Sequence, residues 1–431
     1  MFEEPEVAPI HFYRSQTKTG KPVNFVNWLS KEIKSEGPRA QLSLLTQQRA
    51  LLLDILHKNP TATSSDEQLI EALKRYLSLL LGFIVHPNDG SDSGLRKRIS
   101  FSWSNIIDPE EKTTVFDAQF DVCSVLLTAT IWMINKASSL AQTVTQSNAD
   151  QVHKEMYHLL LKAAGVCQEL ESQSSKLQGE HIPYELKPEL VKVMKDMILA
   201  MGQEVTIQRA IFKKNKSSLI AKLAVDVHTK YSTFYYGLNE FSKTPGAKVH
   251  KIRSYAKYKM NIYEAVALQY HGDHISVADK EHGAGQAVCG LEKAKSMLTN
   301  LDEVITSYAD FSPKTDPKIP MKELEVFLQS ITKSLNSKKL ENDHLYFQST
   351  DDLPELPQGI QLTEPEAFEM PPLDDTWNSL YDEFKSAFKD ASEPKLDNKN
   401  DNENDNENEK EKDKNETHKD NKKHANPCLI L

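Results

Sequence analysis

The stretch Val122-Cys-Ser-Val-Leu-Leu-Thr-Ala-Thr-Ile-Trp-Met-Ile134 is the longest apolar run in this chain of 431 residues. It has about 13 residues, whereas a membrane-spanning helix needs roughly 20. Asp108-Pro109 supplies a helix start ahead of it, and apolar residues recur from Val115 onward on a stripe that covers most of the helix circumference. The sequence therefore predicts a helix buried at the centre of a globular body.

Other stretches with apolar residues at helical spacing lie on both sides of this helix. They are Asp66 to Val85, Asp150 to Glu171, Pro188 to Phe212, Ser218 to Phe241, Ala247 to His271, His282 to Ala309 and Pro320 to Lys339. Strand-like alternation occurs only near Val23 to Phe25, and the 15 glycines are about half the usual share of roughly 7%. We predict a mainly α fold, a layered array of long helices with at most a small N-terminal β element.

The sequence becomes Pro-rich and extended after Leu340, as in Leu353-Pro-Glu-Leu-Pro and Glu369-Met-Pro-Pro372. This composition predicts a strap that runs over the helices. Residues 374–390 then form an amphipathic helix whose apolar face includes Trp377 and Phe384. Its polar face is not basic, which argues against membrane binding. Two hypotheses follow for this helix: it docks on its own body, or it occupies a helix-binding groove and competes with partners.

The last part of the chain has a different composition. Between Glu393 and Lys423 there are 11 acidic residues, 8 Lys and 8 Asn, so residues 391–427 are predicted to be a disordered charged linker. The chain ends in Cys428-Leu-Ile-Leu431, the pattern that a prenyltransferase reads, and a terminal Leu indicates a geranylgeranyl group. Cys428 is therefore the candidate lipidation residue, and this covalent lipid is the expected anchor to a membrane.

Several classes of protein are disfavoured. A formal charge of -10 and a pI near 5.8 argue against a nucleic-acid partner. The cysteines Cys123, Cys167, Cys289 and Cys428 are far apart, which indicates neither disulfides nor a cysteine-based zinc site. The N-terminus is acidic and lacks a signal-peptide pattern. These features predict a cytoplasmic protein.

Catalytic motifs are scarce. Gly90-Ser-Asp-Ser-Gly94 has Asp92 where a nucleophile elbow needs Ser. His271, His274 and His282 could together bind zinc in a hydrolase, but a joint between two helices also collects His for solubility and capping. We therefore predict no enzyme, no metal and no cofactor apart from the covalent lipid.

Six short motifs follow one another in a set order. They are Tyr76-Leu-Ser-Leu-Leu-Leu-Gly-Phe-Ile84, Phe101-Ser-Trp103, Leu161-Lys-Ala-Ala-Gly165, Gln203-Glu-Val-Thr-Ile207, Leu219-Ile-Ala-Lys-Leu-Ala224 and His344-Leu-Tyr-Phe347. In this order and spacing the chain resembles the Bro-domain family, the Alix-type helical module, from about residue 10 to 372. It is most similar to a short member that ends in a prenylation motif, with residues 1–373 as the Bro domain.

The resemblance implies a banana-shaped helical solenoid with a tetratricopeptide-like core and no catalysis. It also implies a hydrophobic patch that receives the C-terminal amphipathic helix of an ESCRT-III subunit of the Snf/charged multivesicular body type. Carried over by local alignment, the partner-binding residues are Leu219, Leu223, Leu362 and Ile207, with Asp150 and Lys154 at the rim. Thr206 stands where a relative has Phe, and whether Ile207 takes its place is left open. The alternative for Leu219 and Leu223 is plain core packing.

Two functions are consistent with these features. The first is a prenyl-anchored adaptor for ESCRT-III on cytoplasmic, chiefly endosomal, membrane faces, acting in ESCRT-dependent membrane remodelling or endosomal sorting. The second is a lipid-anchored helical scaffold for a cytoskeletal or nuclear-envelope partner, with Tyr263 to Leu298 as its contact surface. One prenyl chain gives only marginal membrane affinity, so a protein partner at the membrane is the expected second anchor.

Overall fold

The computed structural model of the chain describes residues 9–106, 111–177, 179, 182–239, 249–311 and 314–389. The helices and strands of these ranges are α1 (Phe25–Trp28), α2 (Glu36–His57), α3 (Asp66–Leu80), β1 (Phe101–Ser104), β2 (Lys112–Val115), α4 (Ala118–Ala141), α5 (Ala149–Ser174), α6 (Pro188–Phe212), α7 (Ser217–Gly237), α8 (His250–Ala278), α9 (Gly283–Thr299), α10 (Asp302–Asp310), α11 (Lys318–Glu341) and α12 (Trp377–Ala387). A π-helical turn, Asn342–Tyr346, follows α11.

Helix α4 forms the centre of the body. Its N-cap is Asp117, whose side chain accepts a hydrogen bond from the backbone N–H of Gln119 at 2.8 Å. Among the described helices it alone is long and apolar enough to cross a membrane, yet its most apolar window lies wholly inside the body. The prediction of a buried central helix is confirmed. The prediction that the apolar stripe of this helix already includes Val115 is wrong, because Val115 belongs to β2. The predicted helix start, Asp108-Pro109, lies outside the described residues.

The small β element lies elsewhere than predicted. Strands β1 and β2 pair antiparallel, with Phe101 opposite Val115. Residues near Val23 to Phe25 instead begin α1, where the side chain of Asn24 accepts a hydrogen bond from the backbone N–H of Asn27. An N-cap contact of this kind favours a helix over a strand. Trp103 of β1 is fully buried, so the hairpin is held by packing against the helices.

The long helices pack in series. Each helix from α4 to α8 packs against the next one along the chain, α10 packs on α8, and α11 packs on α9. This nearest-neighbour arrangement is what a helical solenoid requires, and it confirms the predicted fold class. Several helix bounds are shifted by a few residues, and two elements differ from the sequence-based prediction. The stretch His282 to Ala309 divides into α9 and α10, and α2 was not predicted.

A cluster of buried polar groups joins four of these helices. We call it the lysine–tyrosine cluster; its members are Lys259, Tyr258 and Tyr263 of α8, Glu204 of α6, Tyr231 of α7 and Glu323 of α11. The Lys259 ammonium lies 2.7 Å from a Glu204 oxygen and 2.9 Å from a Glu323 oxygen, with both carboxylates fully buried. Tyr231 and Tyr263 donate to Glu204, and Tyr258 donates to Glu323. Buried charges are tolerated only with such complete pairing.

The predicted strap comprises residues 348–374 and crosses successive helices. At two crossings the backbones touch, because the helix has glycine there. A Cβ atom at Gly165 of α5 would lie 1.6 Å from the carbonyl oxygen of Glu366, and one at Gly285 of α9 would lie 1.9 Å from that of Ser349. The strap is thus seated in contacts that larger residues would block.

The amphipathic helix predicted at 374–390 forms as α12 and docks on the chain's own body. Trp377, Tyr381 and Phe384 are buried. The Trp377 indole N–H donates to the carbonyl oxygen of Leu79 at 2.9 Å, and its ring meets that of Phe83 at a centroid distance of 5.4 Å. The docking hypothesis is confirmed. The site that α12 covers lies on α2, the end of α3 and the residues that follow it, so it is not the predicted partner patch.

We expect Trp377→Ala to lower the free energy of unfolding by about 3–5 kcal/mol, because it removes a fully buried indole and its hydrogen bond. Chemical denaturation measures this loss. Trp28→Ala is the matched control, since Trp28 is 46% exposed. A loss at Trp377 no larger than the loss at Trp28 would mean that α12 is not docked in solution.

Candidate functional site

A buried amide positions the strap next to α7. Gln203 of α6 donates through Nε2 to the carbonyl oxygens of Leu223 and Ile360, at 3.2 and 3.0 Å, and accepts through Oε1 from the backbone N–H of Leu362 at 2.8 Å. One residue downstream, the buried Thr363 donates to the carbonyl oxygen of Leu199. The strap backbone is therefore fixed on both sides of Leu362.

The side chain of Leu362 remains accessible. It is 48% exposed, although its own carbonyl oxygen accepts a hydrogen bond from the Tyr157 hydroxyl of α5 at 3.3 Å. Leu219, in the first turn of α7, is half-buried. We call these two leucines, together with Tyr157 and Thr206, the strap–α7 surface. It presents apolar side chains on a backbone that is already ordered, which lowers the entropy cost of binding.

Two residues of the predicted patch are not accessible. Leu223 and Ile207 are both fully buried. The prediction that Leu223 lies on the patch surface is therefore corrected, and the alternative of core packing holds for it. The strap crosses α7 beside it, where Ile360 donates its N–H to the carbonyl oxygen of Lys222. Ile207 points into the core and does not take the surface position of Thr206, whose hydroxyl donates to the carbonyl oxygen of Gly202 at 3.2 Å.

The predicted rim residues form part of a larger charged group. The Asp150 carboxylate accepts from Lys154 at 2.9 Å and lies 3.3 Å from Arg209 and 3.4 Å from Lys213. The hydrogen bond from Lys154, with those from Lys213 and Arg209, holds the pKa of Asp150 well below its usual range. Three cations around one carboxylate leave an excess of positive charge at this end of the surface.

Four residues of the site were not predicted from the sequence: Gln203, Tyr157, Arg209 and Lys213. Gln203 lies within one of the quoted motifs, but nothing in the motif reveals that its amide holds the strap. Arg209 follows Thr206 at a helical spacing of three, which places both side chains on one face of α6. From that spacing, Arg209 could have been predicted as a further rim residue beside Asp150 and Lys154.

The histidines considered for zinc lie near one helix joint. His271 is half-buried, and burial lowers its pKa, whereas His274 and His282 are exposed. Within the residues that the structure describes, no three His, Cys, Asp or Glu side chains are grouped so as to hold a metal ion. Cys428 lies outside the described residues, as do all of the predicted linker from 391 to 427 and the terminal motif.

The segment Tyr263 to Leu298, the alternative contact surface, packs mainly against other helices of the same chain. Its large apolar side chains, among them Tyr263, Val266 and Leu291, are fully buried between α8 and its neighbours. Val277 is exposed, but it stands at the end of α8. No observation on this segment favours it over the strap–α7 surface.

Comparison with known proteins agrees with this architecture. The BRO1-like domain family model matches residues 12–394, a range that includes α12. The BRO1 domain-containing protein BROX of Danio rerio is 29% identical over 382 residues, which covers 84% of this chain and 87% of that protein. The resemblance stated from the sequence motifs is confirmed.

Solved structures show the same fold. An ALIX structure described as the ALIX BRO1 CHMP4C complex matches with a TM-score of 0.62 and 16% identity, over 86% of this chain and all of that one. ALIX in complex with the SIVmac239 PYKEVTEDL late domain matches with a TM-score of 0.65 and 16% identity, over 86% of this chain and 51% of that one. With its serial helices, seated strap and family match, this chain belongs to the BRO1-like domain family.

Proposed function

We propose that this chain is a non-enzymatic adaptor that binds the C-terminal amphipathic helix of an ESCRT-III subunit of the Snf/charged multivesicular body type. The observation that carries the proposal is the strap–α7 surface, where Leu362 is 48% exposed on a backbone held by Gln203 and Tyr157. Helix-in-groove recognition needs accessible apolar anchors with charges at their edge to fix the register. Leu219, Leu362 and the group around Asp150 supply both.

The ALIX BRO1 domain, which has the same fold, has been solved in complex with CHMP4C. That complex supports the choice of an ESCRT-III subunit as partner. The adaptor would act in ESCRT-dependent membrane remodelling or endosomal sorting, on the cytoplasmic faces of membranes.

The proposal is tested with intact CHMP4C and with CHMP4C lacking its C-terminal helix, each titrated against the full chain. Binding to the intact protein and no binding to the shortened one is the expected result. Equal binding to both would place the contact elsewhere on the partner and overturn the proposal.

We further propose that a geranylgeranyl group on Cys428 attaches the adaptor to the membrane. A thiol four residues from the carboxyl terminus, followed by Leu-Ile-Leu, is the chemistry that a prenyltransferase accepts. Because one prenyl chain binds a bilayer weakly and reversibly, stable attachment requires a second contact. The ESCRT-III helix bound at the strap–α7 surface supplies that contact.

Incubation with a geranylgeranyltransferase and labelled geranylgeranyl pyrophosphate should label the wild-type chain and leave Cys428→Ser unlabelled. Cys289→Ser is the control, because Cys289 is the partly exposed thiol among the described residues. Parallel reactions with a farnesyltransferase and labelled farnesyl pyrophosphate show which of the two lipids the chain accepts. Unlabelled wild type with both donors would contradict the lipid anchor.

A further inference from the structure

A group of cations lies next to the strap–α7 surface and is not explained by the apolar contacts. The turn between α6 and α7 carries Lys213, Lys214 and Lys216, all exposed, and it adjoins Arg209 and Lys154 across from Asp150. Three of these five cations, Lys154, Arg209 and Lys213, lie 2.9, 3.3 and 3.4 Å from the Asp150 carboxylate, and Lys214 and Lys216 stand in the same turn as Lys213. We call all five the basic turn group.

The turn is a fixed structure. Lys214 has a positive φ of 53°, a backbone conformation that is uncommon for a residue other than glycine. Its N–H donates to the carbonyl oxygen of Ile211, and the N–H of Asn215 donates to that of Ala210, each at 2.9 Å. The lysines therefore project from a rigid scaffold, although their side chains are free to adjust.

The position of these lysines costs α7 stability. Cations near a helix N-terminus are unfavourable, because the helix dipole is positive there. Helix α7 nevertheless has Lys216 at its N-cap, without a side-chain capping bond, and no acidic residue in its first turn. Leu219 lies in that same first turn, so this apolar anchor follows Lys216 by three residues.

We propose that the basic turn group binds carboxylates that flank the apolar face of the partner helix. This inference rests on the proposed function and specifies the partner: an amphipathic helix with acidic residues at the end that lies over the α6–α7 turn. Carboxylates there form charge-assisted hydrogen bonds with the lysines and set the direction of the helix. A peptide is favoured over an anionic membrane because the chain as a whole carries a charge of -10.

The test uses the full chain and two peptides of CHMP4C's C-terminal helix with the same apolar face. One peptide is extended by three Glu and the other by three Gln. At low salt the Glu peptide should bind wild type about tenfold more tightly, as expected for three partly exposed charge pairs. The triple variant Lys213→Gln, Lys214→Gln, Lys216→Gln should remove this difference, with the affinity of each protein for the Gln peptide as its own reference. High salt should remove it as well.

The matched control is Lys280→Gln, Lys314→Gln, Lys318→Gln, which makes the same charge change at three exposed lysines on other elements. It should keep the tenfold preference. Equal affinity of wild type for both peptides overturns this inference and leaves the proposed function intact. Absence of binding to either peptide overturns the proposed function itself. Binding to phosphatidylserine vesicles that is lost in the triple variant, without any peptide preference, overturns the peptide assignment in favour of a membrane.

Discussion

Replacing Lys259 with methionine is expected to lower the free energy of unfolding by about 3–5 kcal/mol, because it leaves two carboxylates buried without their cation. Glu204 and Glu323 are fully buried and bind the same ammonium from α6 and α11. Methionine keeps the unbranched shape of the side chain, so the loss reports charge and hydrogen bonding more than volume. Denaturant unfolding followed by circular dichroism measures it.

The loss should depend on pH. Burial raises the pKa of Glu204 to about 7 even in the presence of Lys259. A carboxyl whose pKa is higher in the folded state takes up a proton on folding, so it destabilises the fold above that pKa and less as the pH falls. We therefore expect Lys259→Met to recover part of its stability between pH 8 and pH 6.

Lys58→Met provides the control, because the Lys58–Asp54 pair is exposed and such pairs contribute little. If Lys259→Met were no less stable than this control, the lysine–tyrosine cluster would not hold the four helices together. Adding Glu204→Gln and Glu323→Gln to Lys259→Met should restore part of the loss, since the uncompensated charges are then absent.

The second large effect concerns the partner surface. Leu362→Asp is expected to weaken binding of the ESCRT-III helix by more than about 30-fold, which corresponds to roughly 2 kcal/mol, because it places a carboxylate at an apolar anchor. The fold should tolerate the change, since the side chain is 48% exposed and the contacts of residue 362 with Gln203 and Tyr157 are made by its backbone. Leu219→Asp should also weaken binding of the ESCRT-III helix.

Leu345→Asp is the matched control for Leu362→Asp. It makes the same substitution at a leucine that is 69% exposed in the π-helical turn after α11, away from the strap–α7 surface. Unchanged affinity in Leu362→Asp, measured by fluorescence anisotropy with the helix peptide, would remove the strap from the binding site. Leu223→Asp is unsuitable for this purpose, because a charge at a fully buried position tests folding.

The fold could be predicted from the sequence to the extent that it depends on local periodicity. The stretch Pro188 to Phe212 forms α6 with the predicted bounds, and the buried stretch around Val122 forms the central helix. Helix α2 was missed although Leu42, Leu45, Leu52 and Leu56 recur at helical spacing. Gly37 and Pro38 stand in its first turn, where proline is compatible with a helix.

The accessible part of the site could not be predicted in the same way. Leu219 and Leu223 are four residues apart on α7, so the helical spacing predicts the same degree of burial for both side chains. What separates them is the strap, which contributes Ile360 from more than a hundred residues away and crosses α7 beside Lys222. The rim also depends on a contact between helices, because Arg209 reaches Asp150 from α6 to α5. Such contacts appear only when the chain is folded.

The most direct test of the account is an isothermal titration of the CHMP4C C-terminal helix peptide into the folded full chain. We expect saturable one-to-one binding with a Kd in the micromolar range, about 8 kcal/mol of binding free energy. Absence of saturable binding to a chain that circular dichroism shows to be folded would contradict the claim that the strap–α7 surface receives an ESCRT-III helix.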